Sequence, residues 1–195
     1  LPSNDQNNFK ENLKIINNQI KQIENLVNEF SDFARMPKPI LKDNDLIKIL
    51  NENIKLLSEI DKTISINVAK NKDKILFKCD KEQIARVFFN LIKNSIESIQ
   101  QKIEKDPNFI KKISIEILLH NDHIRFVLID NGIGFDDIKG KIKDILNPYY
   151  TTKKNGTGLG LSIVNKIIND HNGELKFIPI SNGAKIEINF KLNGN

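Results

Sequence analysis

The sequence predicts an α+β two-layer sandwich: a mixed, mostly antiparallel sheet covered on one face by helices and preceded by a long coiled-coil-type helix. Three observations carry this. Strand-like runs come in adjacent pairs separated by single helical stretches, the apolar residues at the start of the chain fall in a narrow heptad stripe, and Pro37 and Pro39 divide that stripe from the rest of the chain. Adjacent strands joined by short turns build antiparallel sheets, whereas repeated strand-helix-strand crossovers would build a doubly wound parallel one.

The first element is set by Phe9, Leu13, Ile16, Ile20, Ile23, Val27 and Phe30, spaced in alternating steps of four and three. That is the seam of a coiled coil or helical bundle, and the facing positions are polar. So narrow a stripe cannot bury itself, so the helix is expected to pair with another helix; packing as a surface helix on the rest of the chain is the alternative. At "ARMPKP" the prolines forbid continuation. The expected organisation is therefore 1–39 as helix and linker and 40–195 as the main domain.

A helix follows from Asp45 to about Glu59, carried by Leu46, Ile49, Leu50, Ile54 and Leu57. "TISINVAK" and "KILFKCD" read as strands forming a hairpin about the turn "NKD". Asp80 then caps a long helix through "DKEQIARVFFNLIKNSIESIQQKI", with Gln83 in the capping-box position. "KKISIEILLHN" and "HIRFVLIDN" form a second hairpin. After a loop-rich middle, glycines open a helix running to about His171, and "GELKFIPIS" with "GAKIEINFKL" close the chain as a third hairpin around "SNG".

Composition limits the function. With 195 residues, 39% hydrophobic and 28% charged, the chain suits a soluble globular domain with an appendage. The net charge of +5 is spread along the whole length among 25 acidic residues, without a block of like charge, which argues against a nucleic-acid partner. The one cysteine, Cys79, rules out an internal disulfide and fits a reducing compartment as an inert thiol. No apolar run approaches 18 residues and the start lacks signal-peptide character, so a cytoplasmic location is expected for this stretch, which can still be a piece of a membrane-bound protein.

Four short motifs carry chemistry. On the long helix, "NLIKN" sets Asn90 and Asn94 four apart on one face, where carboxamide oxygens suit a hard cation or a phosphate, with Lys93 beside them. "DNGIGF" puts Asp130 at a strand end ahead of Gly132 and Gly134; a carboxylate there can accept from an exocyclic amine, although the same residues suit a tight turn. "NPYYTTKK" combines Tyr149, Tyr150, Thr151, Thr152 and Lys153 as a cover over a nucleotide or as a plain surface loop. "GTGLGLSIV" sets Gly156, Thr157, Gly158, Leu159, Gly160 and Leu161 at a helix start, where bare N–H groups and the helix dipole favour anions. It is neither a Walker A loop nor a dinucleotide fingerprint, and flexible glycines before a helix also make an ordinary loop.

Taken in order, these motifs resemble the N, G1, F and G2 boxes of the catalytic ATP-binding domain of two-component sensor histidine kinases, within the Bergerat (GHKL) superfamily that includes gyrase, the MutL repair proteins and a heat-shock chaperone. The resemblance spans about residues 43–192. "LVNEFSDFARMPKP" is similar to the end of the second dimerisation helix in kinases of the NtrB/NtrY type.

The resemblance implies Mg-ATP as ligand, with Asp130 binding the adenine amino group, Gly132 and Gly134 shaping that pocket, and Asn94 holding Mg²⁺ with support from Asn90. Gly156, Gly158 and Gly160 would admit the phosphates, residues from about 136 to 155 would form a lid, and Lys93 and Lys153 would be phosphate contacts. It further implies γ-phosphate transfer to a histidine for relay to a response-regulator receiver domain, self-association through the first helix, and an inner-membrane sensor kinase as the parent protein. His120, His123 and His171 lack the surroundings of the family's acceptor histidine, so an N-terminally truncated chain is expected, without a catalytic acceptor of its own.

Hydrolysing members of the superfamily carry a glutamate base where Asn90 stands, and an amide cannot act as one. Glu97 reads as solvent-facing or structural. The competing expectations are a Bergerat ATPase or serine kinase, and a nucleotide-binding or dimerisation module inactive in this form.

Overall fold

Helix α1 (Ser3–Ala34) ends just before the two prolines, and the chain runs without regular secondary structure to Leu41. In this computed structural model, residues 3–104, 108–135, 142–151, 153 and 156–192 are described. The seam residues of α1 are exposed, among them Phe9, Ile16, Ile20, Ile23 and Val27. Its last turns behave differently, because Phe33 and then Met36 of the linker pack against the main core.

The main body contains β1 (Lys42–Asp45), α2 (Leu46–Ser58), β2 (Ser65–Lys70), β3 (Leu76–Cys79), α3 (Lys81–Ile103), β4 (Lys112–Leu119) and β5 (His123–Asp130). A 3-10 turn at Ile142–Leu146, α4 (Gly160–Asp170), β6 (Gly173–Pro179) and β7 (Ala184–Lys191) complete it. Five strands form one sheet in the order β2-β4-β5-β7-β6, antiparallel except for the β2–β4 pair. The β4–β5 and β6–β7 hairpins form as the sequence predicts.

The predicted hairpin of "TISINVAK" with "KILFKCD" does not form. β2 lies parallel to β4 at the sheet edge, while β3 pairs antiparallel with β1, a four-residue strand that the sequence pattern does not mark. Burial explains the parting. Phe77 and Cys79 of β3 are buried, with the Phe77 ring 5.0 Å from that of Phe190, whereas most of β2 is exposed. A hairpin would have left the apolar side of β3 at an edge in water.

Helices α2, α3 and α4 supply one layer of the core. Leu46, Ile49, Leu50 and Leu57 of α2, Ile84, Val87, Phe88, Leu91, Ile92, Ile96 and Ile99 of α3, and Ile163, Val164, Ile167 and Ile168 of α4 are all buried in one cluster with the sheet. Phe88 meets Phe126 of β5 at 5.0 Å between ring centroids. Full burial of such a side chain contributes about 1.5–3 kcal/mol, so the apolar stripes of the helices hold the layers together.

Asp80 caps α3 as expected, its carboxylate accepting from the N–H groups of Glu82 and Gln83 at 3.1 Å. The capping box is not reciprocal. Gln83 Nε2 donates to the Pro37 carbonyl at 3.0 Å, and the Asp80 N–H is taken by His171 Nε2 at 3.0 Å. Tertiary partners have replaced the local one, because the linker and the end of α4 both converge on this helix start. Cys79 is buried and its thiol is pushed up to about 11 by desolvation, which fits an inert core position.

Candidate functional site

Side-chain parity along β5 places Asp130. Ile124, Phe126 and Leu128 face the helices, and Asp130 at the strand's last position falls on the same side, beneath α3. It is buried, and both carboxylate oxygens are held: Oδ1 accepts from the Gly132 N–H and Oδ2 from the Ser95 hydroxyl, each at 2.9 Å. Burial raises the Asp130 carboxyl above its ordinary value, against the opposing pull of those two hydrogen bonds and the Lys102 charge.

The turn after Asp130 is packed so closely that its glycines have no room for side chains. A Cβ on Gly132 would stand 2.2 Å from Ser98 Oγ. Gly134 has φ of +69°, in the left-handed region that favours glycine, and a Cβ there would stand 2.3 Å from the Gly183 carbonyl oxygen. The turn is gripped from the side by Lys102, whose Nζ donates to the carbonyls of Asn131 at 2.9 Å and Gly132 at 3.2 Å, and to Asn182 Oδ1. Ser95, Ser98, Lys102, Asn182 and Gly183 are not marked by the sequence motifs. The serines had one available signal, since Ser95 and Ser98 share the helix side that faces Asp130.

Asn90, Asn94 and Glu97 lie along the half-buried edge of α3, beside its buried stripe. Asn90 Nδ2 donates to the Arg86 carbonyl at 2.9 Å, which leaves Oδ1 facing Gly160, where a Cβ would stand 3.4 Å from it. Gly160 opens α4, a helix start with no side-chain cap among the described residues. Leu159 is fully buried and Leu161 packs against the core, so the two leucines of the glycine motif anchor that start.

Lys153 crosses to α3. Its Nζ donates to Asn94 Oδ1 at 2.8 Å and forms an ion pair with Glu97. Lys93 is half exposed, 3.9 Å from Glu97 and 5.9 Å above the Phe89 ring, so it stands at the rim. Glu97 is therefore a half-buried acid between two lysines rather than a freely solvated one.

The aromatic segment is tied to the glycine loop by backbone. The Tyr149 N–H donates to the Gly158 carbonyl at 3.0 Å, and Gly158, at φ +71°, lies so near that a Cβ would come within 2.4 Å of the Tyr149 carbonyl carbon. Tyr150 is half-buried and its N–H donates to the Asn147 carbonyl, while Thr151 Oγ1 accepts from the Lys153 N–H at 3.1 Å. Gly156 closes this bend through its own N–H to the Lys153 carbonyl at 3.2 Å. Helix α1 touches the same loops, through Thr157 with the Glu29 carboxylate and Phe30 with Tyr149 at 6.4 Å between centroids. Thr152 and the part of the expected lid at 136–141 and 154–155 lie outside the described residues.

Three of the four motifs thus meet around one helix. From Ser98 under the Asp130 turn to Asn90 at the α4 start is eight residues of α3, about 12 Å at 1.5 Å per residue. A carboxylate stands at one end of that line and an uncapped helix start at the other. Two clefts of 330 and 420 Å³ lie elsewhere, between α4 and the end of α1 with its linker, and neither includes Asn90, Asn94 or Asp130.

A sandwich of this topology with these groups along its central helix defines an ATP-binding class. The chain belongs to the histidine kinase-, DNA gyrase B- and HSP90-like ATPase family, which matches residues 79–194. It is 33% identical over 186 residues to the NtrY-like sensor histidine kinase of Rickettsia bellii, covering 94% of this chain and 29% of that protein. The catalytic domain of histidine kinase ThkA superposes with a TM-score of 0.66 at 25% identity, over 77% of this chain and 95% of that one. ThkA in complex with the response regulator protein TrrA gives 0.72 at 23%, over 94% and 51%. The chain spans 29–30% of the length of its Rickettsia relatives. No helix among the described residues is long and apolar enough to cross a membrane.

Proposed function

We propose that this chain is the ATP-binding catalytic part of a histidine protein kinase, and that it delivers the γ-phosphate of ATP to a histidine outside this sequence. The observation that carries the reading is Asp130, a buried carboxylate held on both oxygens by Gly132 and Ser95 at the base of α3. Held in this way it keeps unused lone pairs in a fixed direction, and the exocyclic amine of adenine is the donor that suits them. Gly132 and Gly134 leave the turn free of side chains, so a flat base can lie against backbone.

Further along α3, Asn90 Oδ1, Asn94 Oδ1 and the start of α4 form the phosphate end. The N–H groups of the first turn of α4 have the polarity for an anion. A cation suits the same place: the Lys153 ammonium already rests on Asn94 Oδ1, as a positive charge the chain itself supplies. Asn94 would hold Mg²⁺ there with Asn90 in support, and the metal when bound would neutralise charge on the phosphates. Tyr150, Thr151 and Lys153 with Gly156 to Leu161 would form the cover that excludes water.

The Asn90 amide has no proton-accepting role toward water, and its nitrogen is engaged by Arg86. Positioning is then the main contribution of the chain: the γ-phosphate is held intact until a nucleophile arrives in line. The chain's own histidines do not suit that task. His171 is buried with both ring nitrogens bonded, and His120 and His123 stack on each other at the β4–β5 turn, at the opposite end of β5 from Asp130. Onward relay to a response-regulator receiver domain, and pairing of two copies through α1 within a bundle of helices, follow from the same reading; the ThkA complex with TrrA supports the former and the exposed seam the latter.

The test is phosphotransfer in trans. Incubation of this chain with labelled ATP, Mg²⁺ and a folded acceptor-helix domain from an NtrY-like kinase should yield acid-labile phosphohistidine on the acceptor. ATP binding without transfer to any such acceptor would sink the kinase reading.

A further inference from the structure

The geometry points to Glu97 as a second, charged ligand of the cation site on α3, sharing it with Asn94, and to Lys153 as the resident cation that a divalent metal displaces. The inference rests on the proposed ATP binding and goes beyond it in naming a carboxylate ligand and an internal competitor.

Glu97 and Asn94 are three apart on one helix edge, and one ammonium, Lys153 Nζ, contacts oxygens of both. Two oxygens that converge on a single cation form a seat, whichever cation fills it. Hard divalent metals in phosphate sites are held by one or two carboxylates together with the phosphates, yet Asn90 and Asn94 offer only neutral amides. Among the described residues of α3, Glu97 supplies a carboxylate on the cation that Asn94 also holds.

Its position also calls for a cation. A half-buried acid three residues from a phosphate-binding amide would repel a triphosphate unless a positive charge stood between them. Lys93, at 3.9 Å and half exposed, is too far out to supply that charge alone. Lys153 supplies it in this structure. When nucleotide arrives with its metal, the divalent ion takes the seat, and Lys153 is released toward the phosphates. Metal and lysine then compete for the same two oxygens, so their removal has opposite consequences.

The experiment measures Mn²⁺ binding to this chain by electron paramagnetic resonance with a non-hydrolysable ATP analogue, and analogue binding by calorimetry with and without metal. Glu97→Gln should weaken Mn²⁺ roughly tenfold while leaving analogue affinity in EDTA unchanged or improved. Lys153→Met should tighten Mn²⁺ by roughly threefold, as expected for loss of a partly exposed competing ion pair. Melting curves confirm folding of each variant. Mn²⁺ affinity within error of the native chain in either variant overturns the inference, as does parallel weakening in both. Asn94→Ala separates the two readings: loss of Mn²⁺ there with none in Glu97→Gln defeats this inference alone, whereas a native chain that binds no analogue defeats the ATP reading with it.

Discussion

His171 closes the start of α3 from a different helix: its Nε2 accepts the Asp80 N–H at 3.0 Å while Nδ1 donates to the Ile167 carbonyl at 2.8 Å. The ring is thereby defined as the neutral tautomer with its proton on Nδ1. Asp80 completes the joint by accepting the Ile40 N–H at 2.9 Å, so the linker, α3 and α4 meet at one residue. Replacing His171 with Ala leaves a buried N–H without its partner and opens a hole beside it. The expected loss is about 1–3 kcal/mol, seen in calorimetry as a melting point roughly 3–10 °C lower. An unchanged melting point would show that the joint contributes nothing.

Asp130→Asn separates adenine recognition from folding. The amide keeps the shape and can still accept from Gly132, but it loses the charge that would accept from an amine. ATP affinity should fall by about 10–150-fold, equivalent to about 1.5–3 kcal/mol for a charged hydrogen bond. Stability should not fall with it, because burial disfavours the ionised form of Asp130. Titration calorimetry reads the first and thermal unfolding the second; native ATP affinity in the variant would refute the adenine assignment.

Acid stability should depend on Asp61. Lys111 lies 2.7 Å away and, together with Thr63, lowers the Asp61 carboxyl from 3.8 to about 2. A carboxyl depressed in the folded state contributes stability that is fully present above its unfolded value and disappears as the pH falls through its folded value. The contribution is about 1–2 kcal/mol after allowance for screening. Asp61→Asn should lower stability at neutral pH by that amount and flatten the denaturant-midpoint curve between pH 4 and 2 relative to the native chain, within the 3.8-to-2 window. Parallel curves would contradict the pairing.

The exposed seam of α1 makes a prediction about assembly. Ile20 is 56% exposed with Phe9, Ile16, Ile23 and Val27 along the same stripe, and a stripe of that kind is stable when covered by another helix. Light scattering should show concentration-dependent association of the native chain and a monomer for Ile20→Asp. A native chain that stays monomeric up to high concentration would count against pairing through α1.

Much of the fold was legible. The heptad spacing marked α1, the proline pair its end, Asp80 the start of α3, and the strand pairs of β4–β5 and β6–β7 their hairpins. These are local signals, written in spacing and turn chemistry. β1 and the separation of β2 from β3 were not legible, because they depend on which short strand buries Phe77 and Cys79. Gln83 shows the same limit: its N–H bonds the Asp80 carboxylate as a capping box requires, but the return bond from its side chain is lost, with His171 taking the Asp80 N–H and Pro37 the Gln83 amide.

The site divides along the same line. By itself the sequence determined which chemistry is present: amides at Asn90 and Asn94, a carboxylate closing a strand at Asp130, and glycines before a helix. Their types and order along the chain were enough to point to a nucleotide. Only the tertiary structure decided which atoms converge, since that depends on distances between elements far apart in the chain. It put the Ser95 hydroxyl on Asp130, Gly183 behind Gly134, and Lys153 across Asn94 and Glu97. Glu97 changed most in meaning, because a carboxylate is defined by the charge it faces, and that charge comes from 56 residues away.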